Sequence, residues 1–189
     1  VKDFLIAKAD MLMGRFNESL GPSWQWFEAS LTYSNGVLPE AMLLAYKATN
    51  NKEYFKVGKS ALDFLVSQSF DGDVAVPVGH IGWFYQGGKK HLYDQQPEEI
   101  SALVLALHTM DDILDSGMYE KKMIGAFNWF LGNNILHQMV YSEMTGGCYD
   151  GISEKEVNLN QGAESTISYL LARLALDGKI CGRRDTTKV

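Results

Sequence analysis

Three clusters of polar and acidic residues carry the chemistry that this sequence can offer. They are Tyr33-Ser34-Asn35, then Asp94-Gln95-Gln96-Pro97-Glu98-Glu99, then Asn158-Leu159-Asn160-Gln161-Gly162-Ala163-Glu164-Ser165. Carboxylates paired across a cleft serve as acid and base when their environments separate their pKa values. Asn and Gln side chains offer donors and acceptors together, which suits polyhydroxylated ligands. On this reading Glu28, Asp94, Glu99, Asp150 and Glu164 are the catalytic candidates, and Gln95, Gln96, Asn160 and Gln161 orient hydroxyl groups. The plainer reading is that a Glu at a helix start complements the dipole and caps nearby amides. For Glu98 that first-turn role is sufficient by itself; for Glu99 and Glu164 both readings stay open.

Aromatic residues form a second group: Trp24, Trp26, Trp83, Tyr85, Tyr93, Tyr141 and Tyr149. The C–H face of a sugar ring packs on such rings, and Trp and Tyr add a polar handle. If the run PSWQWFEASLTYSNG is extended, both of its indoles point to one side. Trp24, Trp26, Trp83 and Tyr149 are therefore candidates for a binding platform, whereas Trp129 belongs to a helical core position. The four histidines, His80, His91, His108 and His137, have no metal-ligand spacing, and neither a metal nor a cofactor is expected. His80 and His91 enter as acid–base candidates only through their loop, and His108 reads as a hydrogen-bonded core residue. Gly87-Gly88-Lys89-Lys90 lacks a P-loop signature and reads as a turn with solvated lysines.

The elements that must position these groups come from an internal repeat. Tyr54 overlays Tyr119, Ala61 overlays Ala126, Phe64 overlays Trp129 and Leu65 overlays Phe130, always 65 residues apart. The same spacing carries Gly82 to Gly147 and Gln96 to Gln161, and it makes Ser34, Glu99 and Glu164 equivalent. Each unit reads as two helices. The first is apolar on most sides and so buried on most sides: Ser34 to about Thr49, Pro97 to about Leu114, Gly162 to about Leu176. The second, from Lys52 to about Gln68 and from Met118 to about Gly132, is amphipathic with lysines opposite its apolar stripe. Long Gly- and aromatic-rich loops join the units, with short strand pieces such as VAVPV expected.

An all-apolar inner helix paired with an amphipathic outer one fits concentric rings of helices. The fold expected is all-α, a partial α/α toroid of the six-hairpin type over residues 1–178, with a polar tail at 179–189. The opening VKDFLIAKADMLM reads as an outer helix without its inner partner, so the expectation is a half-ring or the C-terminal piece of a longer protein. An incomplete ring exposes apolar flanks, for which a second copy of the chain or an N-terminal half of the same chain is the expected partner.

The runs WFEASLTYSNGVLPEA, GWFYQGGKKHLYDQQPEE, TGGCYDG and NLNQGAESTISYLLARLAL resemble a bacterial and archaeal family of α/α-toroid domains. Its members are commonly described as glycosyltransferases or glycosyltransferase-associated proteins. The likeness spans about Trp24 to Leu176 and concerns the C-terminal part of that family's domain. It implies carbohydrate metabolism. With the acidic and aromatic groups above, the expectation is a carbohydrate-binding or carbohydrate-active domain with glycosidase-like chemistry and a sugar or oligosaccharide as ligand. The alternative is a non-catalytic helical scaffold that partners a glycosyltransferase. Related toroids include sugar epimerases, which use ring histidines; the histidines here do not recur at the 65-residue spacing.

Bulk composition narrows the rest. The chain of 189 residues has a net charge of −6, which argues against a nucleic-acid surface. Positive charge gathers only in the tail, at Lys179, Arg183 and Arg184. No apolar run approaches the roughly 20 residues of a membrane span, and the acidic, amphipathic start does not read as a signal peptide. The two cysteines, Cys148 and Cys181, form no CxxC pair, so a reducing cytoplasmic setting is expected.

Overall fold

A computed structural model describes the backbone of residues 1–186 and the side chains of residues 1–178. The side chains of the tail, including Lys179, Cys181, Arg183 and Arg184, therefore lie outside the described residues. Within those limits the protein is mostly helical, with six helices and six strands of two residues each. The helices are α1 (Lys2–Ser19), α2 (Val37–Thr49), α3 (Lys52–Ser69), α4 (Pro97–Leu114), α5 (Glu120–Phe127) and α6 (Ala163–Thr186). No helix among the described residues is long and apolar enough to cross a membrane.

Local chemistry explains most of these boundaries. Pro97 opens α4, where its missing N–H leaves no bond unmade. Asn51 caps α3 by accepting from the Glu53 amide at 3.0 Å. Asn50 and Asp115 close α2 and α4 in the left-handed conformation, at φ 60° and 46°. The expected outer helix to Gly132 ends early as α5. From Trp129 to Gly132 each amide bonds three residues back, so the last turns tighten and swing Trp129 and Phe130 into the core. At the other end α6 continues to Thr186, past the boundary near Leu176 and through the segment expected to be a polar tail.

The helices stand in two rows. One row holds α2, α4 and α6, with α4 in the middle; the other holds α1, α3 and α5. Helices α2 and α4 run parallel, because Asn35 meets Glu99 at one end and Lys47 meets Asp112 at the other. Helix α4 is the hub. Ile100, Leu103, Val104, Ala106, Leu107 and Met110 are all at most 2% exposed, and full burial of a large apolar side chain stabilises by about 1.5–3 kcal/mol. The second row repeats one bond: Tyr54 of α3 donates to Asp10 of α1 at 2.6 Å, and Tyr119 donates to Asp63 of α3 at 2.7 Å. The donors Tyr54 and Tyr119 lie 65 residues apart, as the sequence spacing has them, whereas their acceptors Asp10 and Asp63 lie 53 apart.

The long loops carry the strands in three antiparallel pairs. These are β1 (Ser30–Leu31) with β4 (Phe84–Tyr85), β2 (Phe70–Asp71) with β3 (Val74–Ala75), and β5 (Gly151–Ile152) with β6 (Val157–Asn158). The β1–β4 pair closes the loop carrying Trp24 and Trp26 over α3. Both indoles then face Phe64, with ring centroids 5.0 Å and 6.2 Å away.

Candidate functional site

The starts of the three first-row helices meet at one end of the molecule, as the repeat requires. Tyr33 donates its hydroxyl to Glu164 at 2.5 Å. Ser34 donates to Glu98, and Asn35 donates through Nδ2 to Glu99 at 2.9 Å. The Ser34 side chain is aimed there by a backbone at φ 53°, a left-handed conformation that costs a non-glycine residue about 1–2 kcal/mol. Gly36 follows, because α2 crosses the α4 backbone so closely that an added Cβ would lie 2.2 Å from the Ala102 carbonyl oxygen.

The carboxyls in this cluster differ in environment. Glu99 is 6% exposed. Burial, reinforced by the neighbouring Glu98 charge, raises its carboxyl to about 8 against the bonds from Asn35. One of its oxygens, Oε1, has no hydrogen-bond partner among the described residues, and the same holds for Glu98 Oε2. Burial also raises the Glu98 carboxyl, the Glu164 charge adds to the rise, and the Ser34 bond opposes it. Glu164 itself is exposed. Burial and then the bond to Glu164 hold the Tyr33 hydroxyl above its ordinary range, so it donates rather than ionises. At neutral pH Glu99 thus keeps its proton, while Glu164 of the same cluster is exposed.

The other acidic candidates sit elsewhere. Asp150 is committed to the start of α6: its Oδ1 accepts from the Gly162 amide at 2.8 Å and the Ser165 hydroxyl at 2.6 Å, and its Oδ2 accepts from Asn160. Burial pushes this carboxyl up, but the three bonds outweigh it and hold Asp150 below its usual range. Replacing it, Asp150→Ala, is expected to destabilise the protein by about 1–2 kcal/mol, as loss of a helix cap does. Urea unfolding measures this, and a variant as stable as the wild type would remove the capping role. Asp94 lines a depression of about 410 Å³ with Ile81, His91, Tyr93 and Glu156, a lining that includes none of Glu98, Glu99 or Glu164. Glu28 is exposed in a hollow against Arg15 and Glu18, beside the end of α1.

Several binding candidates need correction. Trp24 and Trp26 are 3% and 1% exposed and belong to the hydrophobic core, so they offer no platform. Trp24 satisfies its indole N–H on the Glu28 carbonyl at 2.7 Å, as a buried Trp must. Gln95 is fully buried and accepts from the Trp129 indole at 2.8 Å, which assigns it to the core with that Trp. Trp83 is 37% exposed and Tyr149 is half-buried. Gln96 is the half-buried residue at the start of α4, and its carbonyl accepts from the Glu99 amide. Gln161 accepts from Thr145 at 2.9 Å, and Asn160 is exposed and bound to Asp150. Lys90 is not a solvated lysine: its ammonium donates to the Gln68 and Val76 carbonyls at 2.6 Å and 3.1 Å.

Sequence reasoning missed Tyr33 and Ser34 as carboxyl partners; the available signal was that Ser34 lies 64 residues before Glu98 and Tyr33 131 residues before Glu164, one residue from one and two repeat lengths. Among the described residues, no group of three His, Cys, Asp or Glu side chains is placed to hold a metal ion. Cys148 is a free, buried thiol pushed up to about 12 by burial and by Asp150. Set against known proteins, the chain matches no protein-family model and no curated protein.

Proposed function

We propose that this chain is part of an α/α toroid whose mouth, at the starts of α2, α4 and α6, binds a carbohydrate. The observation that carries this reading is the pair of buried carboxyl oxygens, Glu99 Oε1 and Glu98 Oε2, that have no hydrogen-bond partner among the described residues. Buried polar atoms without partners are costly, and a sugar hydroxyl, which both donates and accepts, can pair with a carboxyl in either protonation state. Two parallel rows of helices and the recurring Tyr-to-Asp bonds support the toroidal part of the proposal.

Within the same proposal, glycosidase-like chemistry falls to Glu99 as general acid. A carboxyl with a value of about 8 keeps its proton at neutral pH and can give it to a leaving-group oxygen. Glu164, exposed and oriented by Tyr33, is the second carboxyl of the pair. A cytoplasmic location, an association with glycosyltransferase-type proteins and the absence of nucleic-acid partners belong to this reading too.

Screening the purified protein against a broad oligosaccharide panel for binding and turnover tests it. Binding that weakens at least tenfold in Glu98→Gln and Glu99→Gln is expected; no binding and no turnover across the panel would sink it. A second reading, a non-catalytic scaffold docked to a transferase, draws on the bonds from Tyr33, Ser34 and Asn35, which tie the carboxyls to neighbouring segments. It predicts folded variants with no sugar phenotype.

A further inference from the structure

Two faces at opposite ends of the helix row are apolar and exposed. On α6, Ile167, Leu170, Leu171 and Leu174 are 55%, 48%, 46% and 68% exposed, and their spacing places them on one side of the helix. At the other end α1 and α2 form an apolar groove of about 420 Å³ lined by Phe4, Leu5, Ala9, Leu12, Leu44 and Ala45. Contiguous exposed apolar surface of this kind marks an interaction site.

The repeat identifies the partner that fits. Helix α2 meets α4 through Glu40 with Thr109 and Lys47 with Asp112. Position 170 is the equivalent of 40 two repeats on, and position 44 is the equivalent of 109 one repeat back. If α6 of another copy meets α2 as α2 meets α4, Leu170 falls opposite Leu44, and both are 48% exposed. The same step sets Asp177, equivalent to Lys47 two repeats on, opposite Lys47 itself; within one chain these pair with Arg173 and Asp112, so docking would join two ion pairs of alternating sign. Helix α1 then flanks the incoming helix, as α3 flanks α2.

We propose that two copies associate head to tail, α6 of each lying in the α1–α2 groove of the other. Three first-row and three second-row helices from each copy then close one ring of twelve. The closure rests on the toroidal reading above; the docking of α6 does not. A head-to-tail contact closes with two copies only if the rotation it imposes is a half-turn; other closing rotations give larger rings, and the rest give filaments.

Sedimentation velocity of the full chain, from low to high micromolar concentration, tests the proposal. A species of twice the chain mass is expected, with no larger species at the highest concentration. Leu170→Lys with Leu174→Lys should give monomer, and so should Leu44→Lys alone; both sets alter exposed positions, and circular dichroism checks that the helices persist. Mixing these two variants leaves one intact contact, so a mixed dimer should reappear. Asp177→Lys should weaken the dimer several-fold. A monomeric wild type would overturn the proposal, and so would a dimer unaffected by Leu44→Lys, which would mean that α6 pairs with α6. A larger closed ring, or growth into long oligomers, would overturn the ring of two copies.

Discussion

Gly36→Ala is expected to destabilise the protein by about 3 kcal/mol, the upper part of the range for overpacking. Gly36 is the N-cap of α2, at φ −59° and ψ −24°. Alanine can adopt that backbone, so strain in the main chain does not decide the outcome. Packing decides it: the new Cβ meets Ala102 O at 2.2 Å, Ala102 C at 2.3 Å and Leu103 N at 2.7 Å, all backbone atoms of α4. A helix backbone held by its own hydrogen bonds cannot yield as a side chain does, so α2 must move away from α4. That movement also separates Ser34 from Glu98 and Asn35 from Glu99. Gly14 in α1 is the control, since a Cβ there meets nothing within 4 Å, and Gly14→Ala should stabilise by about 0.5–1 kcal/mol. Urea midpoints for the three proteins decide the matter; a Gly36→Ala variant as stable as the wild type would mean that the two helices are farther apart.

The second large effect depends on pH. Between the ordinary carboxyl value of 4.5 and about 8, the unfolded chain has released the Glu99 proton while the folded protein keeps it. The stability that burial of the neutral acid allows is complete at low pH and is lost as pH rises through the folded value. For one proton the loss is at most about 1.4 kcal/mol per pH unit across that window, levelling off above it. Glu99→Gln cannot ionise and should match the wild type below the window while exceeding its stability above it. Urea unfolding at a series of pH values gives the difference directly. A constant difference would mean that Glu99 is already ionised in the fold.

Much of the architecture was legible because it is periodic. Helix α4 occupies Pro97–Leu114 as its apolar run and leading proline require. The 65-residue spacing reappears as the Lys47–Asp112 bond and in the paired tyrosines. The site was legible in position but not in environment. Glu99 and Glu164 are equivalent in the repeat, yet α4 is covered on both flanks and α6 is not, so Glu99 is buried with a raised carboxyl and Glu164 is exposed. Trp24 and Trp26 were misplaced because a loop sequence does not state which way it folds back. The pairing of Ser30 with Tyr85, far along the chain, decides that. The indole that buries Gln95 lies 34 residues away and gives no local signal. The capping of α6 by Asp150 escaped notice for a similar reason, since the cap reaches the helix start from a loop that folds back on it.

The central claim is that the mouth formed by the starts of α2, α4 and α6 is a sugar site. Mapping amide chemical shifts during titration with an oligosaccharide that binds tests it most directly. The account predicts shifts concentrated at Tyr33–Gly36, Pro97–Glu99 and Gly162–Ser165, which Glu99→Gln abolishes. Shifts confined to the depression beside Asp94 and Glu156, or none with any oligosaccharide, would contradict it.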